Sequence, residues 1–244
     1  MNNSGKATEQ PATASDAAGR ALREASSDDT ELFEHISTNL YTAVLSDALD
    51  ELGFRDQVMR EYLQALDPCS VFAGWARTIW CMDVFEESEN PYGLEIEAVD
   101  SLLPGEVAVV GTGQSKRNAP WGELLSTAAK ARGARGAVID GLVRDVNKIL
   151  ALGFPVVTAG VKPVDSRGRG VVVAYNVAIE CAGVIVRPGD LVVSDRDGVV
   201  VVPAAAVQQT VRLASDKASR ENSSRAELLQ GRYLRDVYRK YGVL

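Results

Sequence analysis

Between residues 107 and 160, three short and almost wholly apolar runs alternate with two segments of helical spacing. The runs are VAVVG (107–111), GAVID (136–140) and PVVTAG (155–160). A run of this length without a polar face suits a strand buried on both sides, as in parallel sheets covered by helices. Parallel neighbours need a crossover between them, and GELLSTAAKARG (122–133) and VNKILALG (146–153) have the spacing to supply it. In the first crossover Leu124, Leu125, Ala128, Ala129 and Ala131 form a small-residue packing face, and Gly133 ends it. The segment is expected to be a βαβαβ unit, which places the chain in the α/β class with mixed sheets.

The flanks extend this plan. From Thr42, Val44, Leu45, Ala48, Leu49 and Leu52 recur at helical spacing up to Gly53. VFAGWARTIWCMDVF (71–85) reads as a long bent strand with a bulge at Gly74, and a helix is expected over 92–103. Further strands are expected over 171–179, 183–186, 190–195 and 198–203, the last two forming a hairpin that turns on Asp195, Arg196, Asp197 and Gly198. A C-terminal helix should start near Ala204, break near Gly231 and resume to Tyr241. Residues 1–28 are rich in Ala, Ser, Thr and Asp and read as a flexible tail; residues 29–244 read as a single domain.

Composition narrows the chemistry. Twenty-six basic against 33 acidic residues give a net charge of −7, which argues against direct binding to nucleic acid. No run reaches the ~20 apolar residues of a membrane span, and the N-terminus has no apolar signal core. Cys69, Cys81 and Cys181 are scattered without metal-ligand spacing, as expected of a reduced cytoplasmic chain. His35 is the single histidine and has no neighbouring ligands, so it reads as a surface or core residue; a Ser-His-Asp triad or a His-zinc site is not expected. Lys130, Lys148 and Lys162 lie outside apolar strands, where no desolvation would lower their pKa for Schiff-base chemistry. Carboxylates, arginine, backbone amides and a hard metal remain.

Two loops that follow buried strands carry those groups. In GTGQSKRNAPWGELL (111–125), Gly122 stands where a helix begins, so the free N–H groups of Gly122, Glu123, Leu124 and Leu125 can hold a carboxylate or phosphate. Without a G-x-G-x-x-G or P-loop spacing, nucleotide binding is not expected, and a plain loop before a capped helix is the alternative. The second loop, at the end of strand 136–140, carries Arg144 and Asp145. Arginine offers a planar fork for carboxylate or enolate oxygens, and aspartate a hard ligand for Mg²⁺ or Mn²⁺. An ordinary surface ion pair is the alternative.

The words WGELL, VIDGLVRD, GFPV and PGDLVVSDRDGVVVVP, in that order, resemble the RraA-like family over roughly residues 35–231. That family includes metal-dependent aldolases acting on 4-hydroxy-4-methyl-2-oxoglutarate and 4-carboxy-4-hydroxy-2-oxoadipate, and ribonuclease-activity regulators. The resemblance implies a compact layered α/β sandwich similar to the swivelling phosphohistidine domain, in a trimer or hexamer with the active site at the subunit interface. It makes Asp145 the anchor of Mg²⁺ or Mn²⁺, and Arg144 the substrate-binding arginine facing a pyruvate enolate. Gly122, Glu123, Leu124 and Leu125 become the receptor of the pyruvate carboxylate. Glu123 falls near a metal-bound water, and Glu221 matches a glutamate supplied by the neighbouring subunit. Asp140 reads equally as a residue behind the metal or as a strand-end cap. The implied reaction cleaves a 4-hydroxy-2-oxo acid, with oxaloacetate decarboxylation alongside; the alternative is a non-catalytic inhibitor of a ribonuclease complex. Trp121 is expected to pack its loop. Lys116, Arg117 and Arg132 are expected at the solvated surface, although any of them could meet a distal carboxylate of the substrate.

Overall fold

The expected βαβαβ unit forms the middle of the sheet. The computed structural model describes residues 27–243; the expected tail lies outside them, except that Ser27 and Asp28 already belong to the first helix. In chain order the elements are α1 (Ser27–Asn39), α2 (Thr42–Glu51), β1 (Gln64–Ala65), β2 (Phe72–Asp83), α3 (Gly93–Asp100), β3 (Glu106–Gly111), α4 (Glu123–Ala131), β4 (Gly136–Val143), α5 (Val146–Leu152) and β5 (Val156–Val161). Then come β6 (Gly170–Tyr175), β7 (Ile179–Cys181), β8 (Val184–Val186), β9 (Leu191–Ser194), β10 (Val199–Val202), a 3₁₀ turn (Ala204–Ala206), α6 (Val207–Leu229) and α7 (Leu234–Tyr241). Strands β3, β4 and β5 are parallel neighbours in a mixed sheet of order β1-β5-β4-β3-β2-β9-β10, with β6 also paired to β2. The class is α/β, as expected.

Side-chain alternation divides the core into layers. Ala108, Val110, Ala137 and Ile139 pack with Ala98 and Val99 of α3, Ala129 of α4 and Ile149 of α5. Val107, Val109 and Val138 point the other way, onto Ile179, Cys181, Val184 and Val186 of the small β7–β8 hairpin. A third cluster joins Phe33, Ile36, Val44, Leu45 and Leu49 of α1 and α2 to Trp75, Leu191, Val193, Val200 and Val202, with Ala214 and Ala218 of α6.

Several expectations are corrected. The run 171–179 is two strands in different sheets: Asn176, at φ 57°, breaks it, and the Thr78 hydroxyl donates to the Val177 carbonyl. Ala182 and Gly183, both at positive φ, close a two-residue turn that pairs β7 with β8. Gly74 is not a bulge; the register of β2 shifts between Trp80 and Cys81 instead. Gly74 is glycine because a Cβ there would lie 2.6 Å from the Gly105 carbonyl oxygen. Strand β4 does not stop at residue 140 but runs on to Val143, so the loop after it shrinks to Arg144 and Asp145.

Asp195 does more than turn a hairpin. Its carboxylate accepts from the Asp197 backbone N–H at 2.9 Å and from both the N–H and hydroxyl of Thr42 at 2.7 Å. Helix α2 has Tyr41 at its N-cap with no side-chain cap of its own, so Asp195 supplies one from across the fold. Asp195→Ala is expected to lower unfolding free energy by about 1–2 kcal/mol, read from a urea midpoint shift at constant slope.

Candidate active site

The site is built where the end of β4 meets the start of α4. Trp121 bridges to Val143 in parallel register, and the Arg144 N–H donates to the Trp121 carbonyl at 3.0 Å. The Trp121 indole N–H donates to the Ser126 hydroxyl, which donates to the Gly122 carbonyl, both at 2.9 Å, so the loop is clamped onto the helix it precedes. Asp145 adopts the left-handed region at φ 61°, ψ 31°, a conformation uncommon outside glycine though tolerated by Asp and Asn. Gly122 allows the close approach: a Cβ there would fall 2.9 Å from Asp145 Oδ2 and 3.1 Å from Arg144 Cγ. The Glu123 N–H faces Asp145 Oδ2 at 3.4 Å.

These groups open onto a cavity of about 300 Å³ shared by Gly122, Leu124, Leu125, Arg144 and Asp145 with Tyr92, Glu95 and Asp165. The Arg144 guanidinium spans two carboxylates, with Nε 3.7 Å from Asp145 Oδ2 and Nη2 3.3 Å from Asp165 Oδ1. The Tyr92 hydroxyl donates to the other oxygen of Asp165. Burial works against the ionised form of Asp165, but this hydroxyl and Arg144 outweigh it and hold the carboxyl below the usual range.

Glu95, in the first turn of α3, behaves oppositely. Burial pushes its pKa up to about 7 and the charge of Asp165 adds to this, while Arg144 pulls it down. A carboxyl raised in the folded state contributes stability that is full below its ordinary 4.5 and lost as pH rises through about 7. Glu95→Gln is therefore expected to match the wild type at pH 4 and to exceed its stability at pH 8 by on the order of 3 kcal/mol, measured by denaturant titration at both pH values.

Of the residues singled out from the sequence, Gly122, Leu124, Leu125, Arg144 and Asp145 meet at this cavity. Glu123 does not line the cavity: its backbone N–H faces Asp145, and its carboxylate accepts from Thr127 at 3.0 Å. Glu221 lies elsewhere in the same chain, on α6, where its carboxylate accepts from the Tyr41 hydroxyl and burial raises its pKa. Asp140 is buried, accepts from the N–H and hydroxyl of Thr112, and serves as a cap to that loop. Trp121 is 2% exposed and packs the loop, as expected. His35 is a surface residue hydrogen-bonded to Ser215. Arg132 pairs with Asp100, Arg117 lies over the Phe85 ring, and Lys116 is exposed. Tyr92, Glu95 and Asp165 escaped the sequence reading: Glu95 looks like any acid in a helical first turn, and Asp165 like a loop residue.

Among the described residues, no group of three or more His, Cys, Asp or Glu side chains forms a ready-made metal cage. One half-exposed carboxylate, Asp145, facing a cavity fits instead a hard divalent cation that keeps water and substrate in most of its shell.

The family model described as RraA-like, Aldolase/RraA, matches residues 42–201. The chain belongs to the RraA-like family. A relative in Halalkalibacterium halodurans, provisionally named a 4-hydroxy-4-methyl-2-oxoglutarate aldolase, is 31% identical over 72% of this chain and 79% of its own length. An uncharacterised protein of Methanocaldococcus jannaschii is 43% identical over 62% of this chain and 72% of its own. Among solved structures, Streptomyces coelicolor RraAS2, described as an unusual member of the RNase ES inhibitor RraA family, superposes with a TM-score of 0.73. It is 31% identical and covers 84% of this chain and 98% of its own. This RraA-like chain has no helix, among the described residues, long and apolar enough to cross a membrane.

Proposed function

We propose that this chain is a Mg²⁺- or Mn²⁺-dependent lyase that releases pyruvate from a 4-hydroxy-2-oxo acid such as 4-hydroxy-4-methyl-2-oxoglutarate, and that it also decarboxylates oxaloacetate. The observation that carries this is the convergence, on one cavity, of a helix N-terminus, a forked arginine and a left-handed aspartate. The start of α4 would receive the pyruvate carboxylate, since its amides and the positive end of its dipole suit an anion. Arg144, held by two carboxylates, would place a fixed donor at the 2-oxo oxygen, where charge develops as the C3–C4 bond breaks. Asp145 would hold the divalent ion, whose chemistry is to withdraw electron density from the chelating 2-oxo and carboxylate oxygens. Glu221, turned away on α6, could serve only a neighbouring subunit of a trimer or hexamer, where with Glu123 it would help to hold a water.

Pyruvate release, coupled to lactate dehydrogenase, is expected to depend on added Mg²⁺ or Mn²⁺ and to stop with EDTA. Release that continues under full chelation, or that borohydride traps, would contradict the metal mechanism. The competing reading, an inhibitor of a ribonuclease complex, draws on the net charge of −7. It would replace this one if purified chain bound ribonuclease E yet released no pyruvate from any 2-oxo acid.

A further inference from the structure

We propose that Glu95 is the catalytic acid–base of this site, carrying the single proton that the cleavage has to move. The proposal rests on the aldolase reading above.

Glu95 stands at a junction. It lines the 300 Å³ cavity with Arg144 and Asp145, and also a side chamber of about 10 Å³ between β2, the 112–120 loop and the start of β6. A chamber of that size has room for about one water molecule. Its wall includes Asn118, 4% exposed, whose side-chain carbonyl oxygen is buried without a hydrogen-bond partner and therefore needs a donor. The Glu95 carboxyl thus has reacting groups on one side and a polar pocket on the other.

The groups facing it leave it free to change protonation. Arg144 and Asp165 act on it across the cavity with opposite signs. From β2 come Cys81, whose buried thiol is pushed up in pKa, and Asp83, whose carboxylate accepts from Ser115. Tyr92, beside it in sequence, is committed to Asp165. No hydrogen bond from the described residues locks the Glu95 carboxylate in one state, and its pKa near 7 suits a group that both takes and returns a proton. Asp145, Asp165 and Glu123 are less suited: the first faces Arg144, the second is held ionised, and the third is tied to Thr127.

The step balances with one residue. The Glu95 carboxylate takes the proton of the substrate 4-hydroxyl, the O–H electrons form the C4 carbonyl, and the C3–C4 bond breaks. The released pair becomes the pyruvate enolate facing Arg144. The protonated Glu95 then delivers the same proton to C3, which completes the pyruvate methyl group and restores the carboxylate. No oxidant, reductant or second proton source is needed.

The test uses the return half of this cycle, which needs only pyruvate. Wild-type protein with Mg²⁺ in D₂O is expected to exchange the pyruvate methyl protons, followed by ¹H NMR. Glu95→Gln is expected to slow this exchange by about 10²-fold or more, and Glu95→Asp to restore part of it. Pyruvate affinity by calorimetry should be unchanged in Glu95→Gln, and in metal-free protein a ¹³C-carboxyl resonance titrating near pH 7 should be missing from that variant. Wild-type exchange with undiminished exchange in Glu95→Gln would overturn the role of Glu95 alone. Loss of pyruvate affinity in step with exchange would overturn it too, making Glu95 a structural wall. A wild type that neither exchanges nor releases pyruvate would overturn the aldolase reading, and this one with it.

Discussion

Asp145→Asn is expected to lower metal-dependent pyruvate release by more than about 10²-fold, with little recovery at high Mg²⁺. Changes one contact further from a bound metal already cost about 10–100-fold, and Asp145 is the one carboxylate that the proposed reading assigns to the ion. Asparagine is the informative substitute because it tolerates the left-handed backbone at φ 61°, so charge is lost without added strain. Asp145→Ala should lose as much activity and, in addition, about 1 kcal/mol of stability from the backbone alone. Steady-state rates over a Mg²⁺ titration, beside thermal melts of both variants, separate these effects. The Asp145 side chain is 41% exposed, so neither variant should unfold. An Asp145→Asn enzyme of normal activity would reduce the Arg144–Asp145 contact to an ordinary ion pair.

Arg144→Lys should show the complementary pattern: kcat reduced by about 10²-fold or more, with metal affinity near that of the wild type. The structure sharpens the reason. The guanidinium reaches Asp145 through Nε and Asp165 through Nη2, two separate nitrogens held in one rigid plane. A lysine ammonium carries its donors on one nitrogen and cannot present two nitrogens at a fixed spacing in one plane. Rates compared with Mg²⁺ affinity by calorimetry test this. Full turnover in the Arg144→Lys variant would show that charge alone is required there.

How much of this was legible in the sequence depended on how local the determining contacts are. The β3-α4-β4-α5-β5 unit could be read because burial on both faces leaves strands such as VAVVG with no polar positions. Arg144, Asp145 and the 122–125 backbone could be read because they directly follow or precede those elements. The break at Asn176 could not, since it depends on a left-handed residue and on a hydrogen bond from Thr78, 99 residues away from Val177. Glu95, Tyr92 and Asp165 were invisible for the same reason: the order of strands brings them to the cavity, and nothing in their neighbours' sequence marks it. Asp195 likewise read as a turn residue because its partner, Thr42, lies 153 positions earlier.

Strand β2 has one further consequence. Along one edge it bonds β3; along the other, Phe72–Trp75 bond β9 and Ile79–Asp83 bond β6. A single twelve-residue segment thus collects partners from the middle and the end of the chain, so neither portion can be released as an autonomous piece. A fragment ending before β9 would leave residues 72–75 with a bare row of amides and carbonyls, an invitation to aggregate through edge pairing.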